Sequence, residues 1–243
     1  MPPRLLIVQN NLESPAGIVQ EEAARCGIES TLLMGSPDLV LPADAARHDG
    51  LLILGGTMNC LADDQCPYFP PLLELARRMD DEGRPVMGIC LGAQLLARAW
   101  GGTPRIGGAP EYGFVSLEPT EAAVDDPLLS DVPSGTHFMQ WHDDTYDLPQ
   151  GATLLMHSAT CRNQIWRAGN VTWAFQAHIE VTPSILVAWG LIRQKLTGDA
   201  EAPVLLRAAS DRHLPEADRA ARIVATRFAE EILAGARRRR QAA

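Results

Sequence analysis

An apolar run passes directly into a Gly-x-Cys-x-Gly turn in the segment Pro85-Val86-Met87-Gly88-Ile89-Cys90-Leu91-Gly92. This passage from strand to turn is the strongest indication of the fold class. Continuous apolarity over residues 85–89 predicts a β-strand that is covered on both faces. The residues that follow, 93–100, predict a helix that ends at Gly101-Gly102. Glycines on both sides of Cys90 let the backbone turn sharply between strand and helix, which is typical of a nucleophile elbow. We expect the helix N-terminus to face the sulfur and to favour the thiolate.

The first half of the chain alternates between predicted strands and predicted helices. Apolar runs predict strands at residues 4–9, 30–34, 50–54 and 85–89, and helices are predicted at residues 17–26, 70–81 and 93–100. This alternation is typical of a parallel sheet with helices on both faces.

The second half changes to short β-like runs from about residue 113. These runs cover residues 113–117, 137–141, 153–157, 164–167 and 171–176, and helices are predicted at residues 183–194 and 216–233, with an exposed linker at 195–203. The sequence therefore predicts an α/β fold with a mostly parallel central sheet, helices on both faces and a smaller antiparallel β extension. We expect residues 1–243 to form a single domain, with a C-terminal helical extension from about residue 195.

Charge and hydropathy exclude several classes of partner. The 243 residues include 21 Lys and Arg against 30 Asp and Glu, for a net charge of −9. Such an acidic chain repels phosphate backbones, so no nucleic acid partner is expected. The apolar runs are far shorter than the roughly 20 residues that span a bilayer, and the first one is too short for a secretory signal. We therefore expect no membrane association and a cytoplasmic location.

The cysteines other than Cys90 are interpreted as small buried residues. The five cysteines include no CxxC pair, and no histidine stands at zinc-finger spacing. Neither a disulfide framework nor a structural zinc site is predicted. The four cysteines without the elbow setting are Cys26, Cys60, Cys66 and Cys161.

A thiolate nucleophile needs an imidazole, and the chain has six histidines. Charged, loop-like surroundings predict that His48 and His213 are solvated. His137 and His157 lie in β-like runs and are interpreted as structural residues. Two candidates for a functional imidazole remain, and they lie in different motifs.

The two candidates are His142, in Gln140-Trp141-His142-Asp143-Asp144, and His178, in Gln176-Ala177-His178-Ile179-Glu180. His178 follows an apolar strand, where a functional side chain can emerge at the rim of the sheet. Glu180 stands two residues later and can lie on the same side of an extended chain. An acid so placed can orient the ring and stabilise its protonated form.

Three motifs in one order resemble the class I glutamine amidotransferases of the Cys-His-Glu triad type, over roughly residues 4–189. Gly55-Gly56-Thr57-Met58-Asn59 resembles the oxyanion-strand loop of that family. Gly88-Ile89-Cys90-Leu91-Gly92-Ala93-Gln94 resembles its nucleophile elbow, and the segment 176–180 resembles its His-x-Glu motif. The segment 140–144, with Leu148-Pro149-Gln150-Gly151-Ala152 after it, is similar to a free-standing branch that includes plant γ-glutamyl peptidases.

The resemblance implies cysteine-dependent hydrolysis of a γ-glutamyl amide through a thioester. It implies that Cys90 is the nucleophile, His178 the acid–base group and Glu180 its orienting partner. The implied oxyanion hole consists of the backbone N–H groups of Gly56 and Leu91. The implied substrate-binding residues are Gln94, Gly55, Thr57 and His142. No metal or organic cofactor is expected.

The identity of the leaving group has two readings. Ammonia would be delivered to a synthase, and because no GxxxxGK loop occurs here, that synthase would be a separate subunit. Alternatively, a γ-glutamyl peptide or γ-glutamylated metabolite is the substrate of a hydrolase that acts alone. A non-catalytic regulatory module on the same fold is a third hypothesis, and the intact Cys90, His178 and Glu180 argue against it.

Three positions depart from the family pattern. Thr57 replaces a frequent Pro, Ala177 stands where an aromatic residue is common, and Ile179 stands where Pro is common. No catalytic group is lost. The changes beside His178 predict an altered pocket wall with room for a bulkier leaving amine.

Overall fold

The computed structural model describes residues 2–241, which contain eleven strands and five α-helices. The strands are β1 (Arg4–Gln9), β2 (Glu29–Met34), β3 (Gly50–Ile53), β4 (Val86–Ile89), β5 (Pro104–Arg105), β6 (Glu111–Pro119), β7 (Thr136–His142), β8 (Thr145–Tyr146), β9 (Thr153–His157), β10 (Ile165–Ala168) and β11 (Thr172–Phe175). The helices are α1 (Gly17–Arg25), α2 (Phe69–Asp81), α3 (Leu91–Ala99), α4 (Pro183–Thr197) and α5 (Ala202–Gln241).

Nine strands form one sheet in the order β2-β1-β3-β4-β11-β10-β9-β6-β7. The strands from β2 to β11 in this order are parallel, and those from β11 to β7 are antiparallel. β5 and β8 form a separate two-stranded ladder. The predicted α/β fold with an antiparallel extension is confirmed, and the extension continues the central sheet itself.

Helices cover both faces of the parallel strands. Leu5 and Ile7 of β1 belong to one apolar cluster with residues of α1 and α5, whereas Leu6 and Val8 belong to a second cluster with residues of α2 and α3. Successive side chains of a strand point to opposite faces, so both sets must be apolar when both faces are covered. This explains the unbroken apolar runs in the sequence.

The C-terminal part differs from its prediction. The expected linker at 195–203 is reduced to residues 198–201, because α4 continues to Thr197 and α5 already begins at Ala202. Gly198, at φ 74°, ends α4 in the left-handed conformation that glycine adopts readily. Pro215 lies inside α5, 13 residues before Phe228, whose side chain is buried in the core. None of the helices within residues 2–241 has the length and apolar character needed to cross a bilayer.

The carboxyl ends of β3, β4 and β11 meet at one edge of the sheet, because these neighbours are parallel. Gly55 follows β3, Cys90 follows β4 and His178 follows β11. This edge is where open α/β sheets bind their ligands. The topology therefore brings together the three motifs singled out in the sequence.

Candidate functional site

Cys90 sits on a sharp turn between β4 and α3. Its backbone has φ 52° and ψ −110°, and it is the one non-glycine residue with positive φ within residues 2–241. A Cβ on Gly92 would lie 2.0 Å from the Ile53 carbonyl oxygen, and one on Gly88 would lie 2.6 Å from the Gly92 backbone. The flanking glycines are therefore required by close backbone approach. A backbone conformation of this kind costs on the order of 1–3 kcal/mol and is typical of functional sites.

Cys90 opens into a cleft of about 630 Å³. Its side chain is 6% exposed, and its Sγ lies 3.8 Å from the Trp141 carbonyl oxygen. The cleft is also lined by His178, Gly56, Leu91 and Gln94. These five sequence-predicted residues thus share one accessible space, whereas Gly55 and Glu180 do not line it.

His178 and Glu180 form a buried pair. His178 Nδ1 lies 2.7 Å from Glu180 Oε1, and the two side chains are 3% and 0% exposed. The backbone N–H of His178 donates to the Met139 carbonyl oxygen of β7 at 2.8 Å. Among the described residues, His178 Nε2 is buried without a hydrogen-bond partner. The carboxylate holds one ring nitrogen and leaves the other available.

The electrostatics of this pair favour a protonated ring. Burial alone would lower the pKa of His178, but the negative charges of Glu180 and of a Cys90 thiolate, with the Glu180 hydrogen bond, raise it above its ordinary value. A protonated imidazole is an acid that can donate to a departing amine.

Two supports of this pair lie far away in sequence and were not predicted. The Ile18 N–H donates to the Glu180 carbonyl oxygen at 3.0 Å, and a Cβ on Gly17 would lie only 1.9 Å from that oxygen. The Trp189 ring packs edge-on against the His178 ring, with centroids 4.7 Å apart, and its Nε1–H donates to the Glu13 carbonyl oxygen at 2.6 Å. Only the helix-start position of Gly17 was visible in the sequence.

The loop after β3 lies against both Cys90 and His178. A Cβ on Gly55 would lie 3.3 Å from His178 Cε1 and 3.5 Å from Cys90 Cβ. A Cβ on Gly56 would lie 2.8 Å from Leu91 Cδ2, so these two residues are neighbours. Leu91 is the first residue of α3, and its N–H has no acceptor within the helix. Thr57 is exposed at the mouth of the cleft.

Gln94 and His142 occupy the wall of the cleft in different ways. Gln94 Nε2 donates to Gln176 Oε1 at 3.4 Å and to the Asp144 carbonyl oxygen at 3.5 Å. His142 Nδ1 donates to the same carbonyl oxygen at 3.0 Å, and its Nε2 lies 3.2 Å from Glu111 Oε2. Both ring nitrogens of His142 therefore contact protein groups, which leaves the ring no nitrogen for a substrate.

Glu111, His142 and Cys161 are a buried group whose ligand atoms all lie within 4.8 Å of one another. These residue types can hold a transition metal. The Glu111 carboxylate also accepts hydrogen bonds from Ser158 Oγ at 2.7 Å and Gln164 Nε2 at 2.5 Å. Hydrogen bonds of Glu111 therefore form a buried network, which holds the first residue of β6 against the last residue of β7.

Three expectations about individual residues are wrong. Ala177 and Ile179 were expected to shape the pocket wall, but both are buried in the apolar core, because alternate residues of an extended segment face away from His178. His48 is not solvated: it is 2% exposed and contacts the Ala45 carbonyl oxygen and Thr31 Oγ1.

His213 is not in a solvated loop either. It lies on α5 and stacks against the ring of His137, with centroids 4.2 Å apart. Charged neighbours in the sequence therefore predicted exposure wrongly for His48, whereas His213 is half-buried and only its predicted loop setting is wrong.

Comparison with known proteins places these motifs in one family. The glutamine amidotransferase-like protein YfeJ of Salmonella typhimurium is 32% identical over 176 residues, which cover 70% of this chain and 73% of YfeJ. Gamma-glutamyl peptidase 3 of Arabidopsis thaliana is 29% identical over 150 residues, 59% of each chain. The crystal structure of a glutamine amidotransferase from Methylobacillus flagellatus superposes with a TM-score of 0.82 at 28% identity, over 95% of this chain and 96% of that one.

The family model described as glutamine amidotransferase class-I matches residues 8–186, from the first strand to the start of α4. The matched range contains the elbow, the loop after β3 and the His-x-Glu segment. With three quarters of its length inside that match, the chain belongs to the class-I glutamine amidotransferase family.

Proposed function

We propose that this protein hydrolyses a γ-glutamyl amide through a thioester on Cys90. One observation carries the proposal. A cysteine held at positive φ shares a cleft with an imidazole whose Nδ1 is held by Glu180 and whose Nε2 has no partner among residues 2–241. Nucleophile, base and orienting acid are the three parts that activated-nucleophile catalysis requires.

In the first half-reaction, the Cys90 thiolate attacks the γ-carbonyl carbon and forms a C–S bond. The carbonyl oxygen becomes negatively charged and accepts hydrogen bonds from the N–H groups of Gly56 and Leu91. The His178 imidazolium donates the Nε2 proton to the nitrogen as the C–N bond breaks. The amine leaves, and a γ-glutamyl thioester remains on Cys90.

In the second half-reaction, neutral His178 removes a proton from water, and the resulting hydroxide attacks the thioester carbon. The C–S bond breaks, glutamate is released, and the thiolate and imidazolium return. Glu180 keeps the ring oriented and stabilises its charge in both steps. These residues supply a complete acyl transfer between a nitrogen and a water oxygen.

Substrate binding involves the neutral groups near the nucleophile. Gln94, one turn into α3, offers an amide to the α-amino and α-carboxylate end of the glutamyl group. His142 acts indirectly, because its ring holds Glu111 and the Asp144 backbone. We therefore propose that His142 supports the cleft wall and does not contact the substrate directly.

The test is an activity screen of the purified protein against glutamine and a panel of γ-glutamyl amines, with free glutamate and free amine as readouts. Stoichiometric release of both products by the wild type, and none by Cys90→Ala, is the expected result. Equal turnover by the two proteins would overturn the proposal. Hydrolysis of glutamine that rises sharply only with a second protein would assign the chain to the synthase-coupled alternative.

A further inference from the structure

Apart from the Cys90–His178 pair, all charged residues that line the cleft beside Cys90 are acidic. Three carboxylate residues line it, Glu13, Asp143 and Asp144, whereas no Lys or Arg of the described chain does. Arg193, next to the lining residue Ile192, lies over the Tyr112 ring at 4.5 Å instead. A ligand in this cleft therefore meets acidic residues and, among the described residues, no guanidinium or ammonium group in the lining itself.

Two of the three carboxylates are available to a ligand. Within residues 2–241, the side chains of Glu13 and Asp143 are exposed and have no hydrogen-bond or ion-pair partner, whereas Asp144 Oδ1 accepts from the Gly107 N–H at 2.8 Å. The α-ammonium of a glutamyl group, whose end meets Gln94 in the proposed reaction, can also pair with at most one of these carboxylates. At least one negative charge then remains without a counterion.

A second observation, independent of the acids, marks this cleft as the place of a ligand. His178 lines it, is 3% exposed and has no hydrogen-bond partner for Nε2 among the described residues. A buried ring nitrogen without a partner is uncommon and indicates a group that binds there. The leaving nitrogen of a substrate fills this position in the proposed reaction.

The rim of the cleft is apolar. The indole rings of Trp141 and Trp189 pack edge to face, with centroids 5.4 Å apart, and Ile192 and Leu196 of α4 continue the lining. An alkyl chain can bury its methylene groups against such a wall, which removes apolar surface from water. An aliphatic chain that ends in a cation matches both the apolar rim and the acids.

We infer that the leaving group is an alkylamine that carries a second, positively charged amine, so that the substrate is the γ-glutamyl amide of a diamine. This inference rests on the proposed function and specifies its substrate class. It excludes leaving groups that end in a carboxylate, such as an amino acid or peptide, because Glu13 and Asp143 repel them.

The experiment compares three γ-glutamyl amides of equal length on the full chain: those of 1,4-diaminobutane, of pentylamine and of 4-aminobutanoate. The α-ammonium is common to all three, so only the distal charge differs. We expect kcat/KM to fall from cation to neutral to anion, by roughly threefold to tenfold per step at low salt. The steps should shrink when the ionic strength is raised from about 0.02 M to about 0.5 M.

Two isosteric variants locate the charge effect. Glu13→Gln and Asp143→Asn should each lower the ratio of kcat/KM for the diamine amide to that for the pentylamide. Asp125→Asn, which removes an exposed carboxylate outside the cleft, is the matched control and should leave the ratio unchanged. Equal or better hydrolysis of the neutral or anionic amide overturns the inference alone. Hydrolysis of glutamine but of none of the three amides also overturns the inference alone. If neither glutamine nor any of the three amides is hydrolysed, the proposed function is overturned together with the inference.

Discussion

Two buried groups of this molecule contain the same three residue types. Cys90, His178 and Glu180 form one, and Cys161, His142 and Glu111 form the other. In the first group, one histidine nitrogen has no partner and Cys90 opens into the cleft. In the second, both nitrogens are bonded and Cys161 is 1% exposed, with its Sγ 3.3 Å from Thr145 Oγ1.

Residue identity alone therefore does not determine whether a Cys, His and Glu group can act as a catalytic triad. Burial raises the pKa of the Cys161 thiol, which keeps that sulfur protonated and unreactive. Cys90, by contrast, is held at the start of α3, where the N–H groups of the first helical turn have no acceptor within the helix and favour a nearby negative charge. An unsatisfied nitrogen and a strained, accessible cysteine distinguish a reactive group from a structural one.

The largest expected effect separates the two cysteines. Cys90→Ala should reduce γ-glutamyl amide hydrolysis to background, because no thioester can form, whereas Cys161→Ala should retain most of it. Initial rates of glutamate release measure both. A chloroketone analogue of glutamine should also alkylate Cys90 before the other four cysteines, as read by mass spectrometry. An adduct found mainly on Cys161 would reverse the assignment of the two groups.

The next effect separates the two histidines. His178→Ala should lower kcat by about 10²-fold to 10⁴-fold, as expected for loss of a general acid–base group. His142→Ala should lower activity much less, because its ring supports the cleft wall without meeting the substrate. Steady-state kinetics on one γ-glutamyl amide test this. A larger loss in His142→Ala would move the catalytic group to residues 140–144.

The pH dependence of stability tests the electrostatics of the His178–Glu180 pair. Folding raises the pKa of His178, so the stabilisation is fully present below the unfolded value of about 6.5 and is lost as the pH rises through the folded value. The free energy of unfolding of the wild type, relative to His178→Gln, should fall above about pH 6.5 by at most about 1.4 kcal/mol per pH unit. Urea denaturation at several pH values measures this. A difference that is constant with pH would contradict it.

A smaller effect concerns the structural group. Glu111→Gln should lower the free energy of unfolding by about 1–3 kcal/mol, because an amide cannot accept all the hydrogen bonds that this buried carboxylate accepts. Glu118→Gln, an exposed position on the same strand, is the control and should change it by less than about 0.5 kcal/mol. Chemical denaturation of both variants measures the two changes in the free energy of unfolding. Equal values would show that the network contributes nothing to stability.

The smallest effect tests how the first group is held. Trp189→Phe keeps an aromatic ring near His178 but removes the Nε1–H bond to the Glu13 carbonyl oxygen. Loss of one such bond, worth about 1 kcal/mol, should lower kcat about fivefold and leave KM nearly unchanged. Steady-state kinetics measure the split. With glutamine, which carries no alkyl chain on its leaving nitrogen, an effect on KM alone would mean that Trp189 contacts the glutamyl group instead of supporting His178.

The sequence predicted what depends on neighbours in the chain. The elbow at Cys90 is a local pattern of glycines between a strand and a helix, and Glu180 lies two residues from His178 along an extended segment. The parallel sheet followed from unbroken apolar runs. These features need only short-range geometry, so residue types and spacing were enough to predict them.

The features that the sequence did not predict depend on long-range packing. Gly17 has to be glycine because of a carbonyl 163 positions later, at Glu180, and nothing near Gly17 indicates this. His48 has charged neighbours in sequence but is enclosed by β2 and a turn before β3. The sequence predicted this helix only from residue 216, whereas α5, which packs on α1 and α4, begins at Ala202 and continues through Pro215. Burial and helix length are properties of the assembled fold.

The bond between Trp189 and Glu13 has a consequence for synthesis of the protein. It joins residues 176 positions apart, and the contact between Ile18 and Glu180 closes almost as long a loop. On a translating ribosome, the elbow can form once α3 has emerged, at about 5–20 residues per second. The His178 ring gains its aromatic support only after α4 has emerged as well. A nascent chain that carries Cys90 therefore lacks the complete surroundings of the His178 ring until most of α4 has been made.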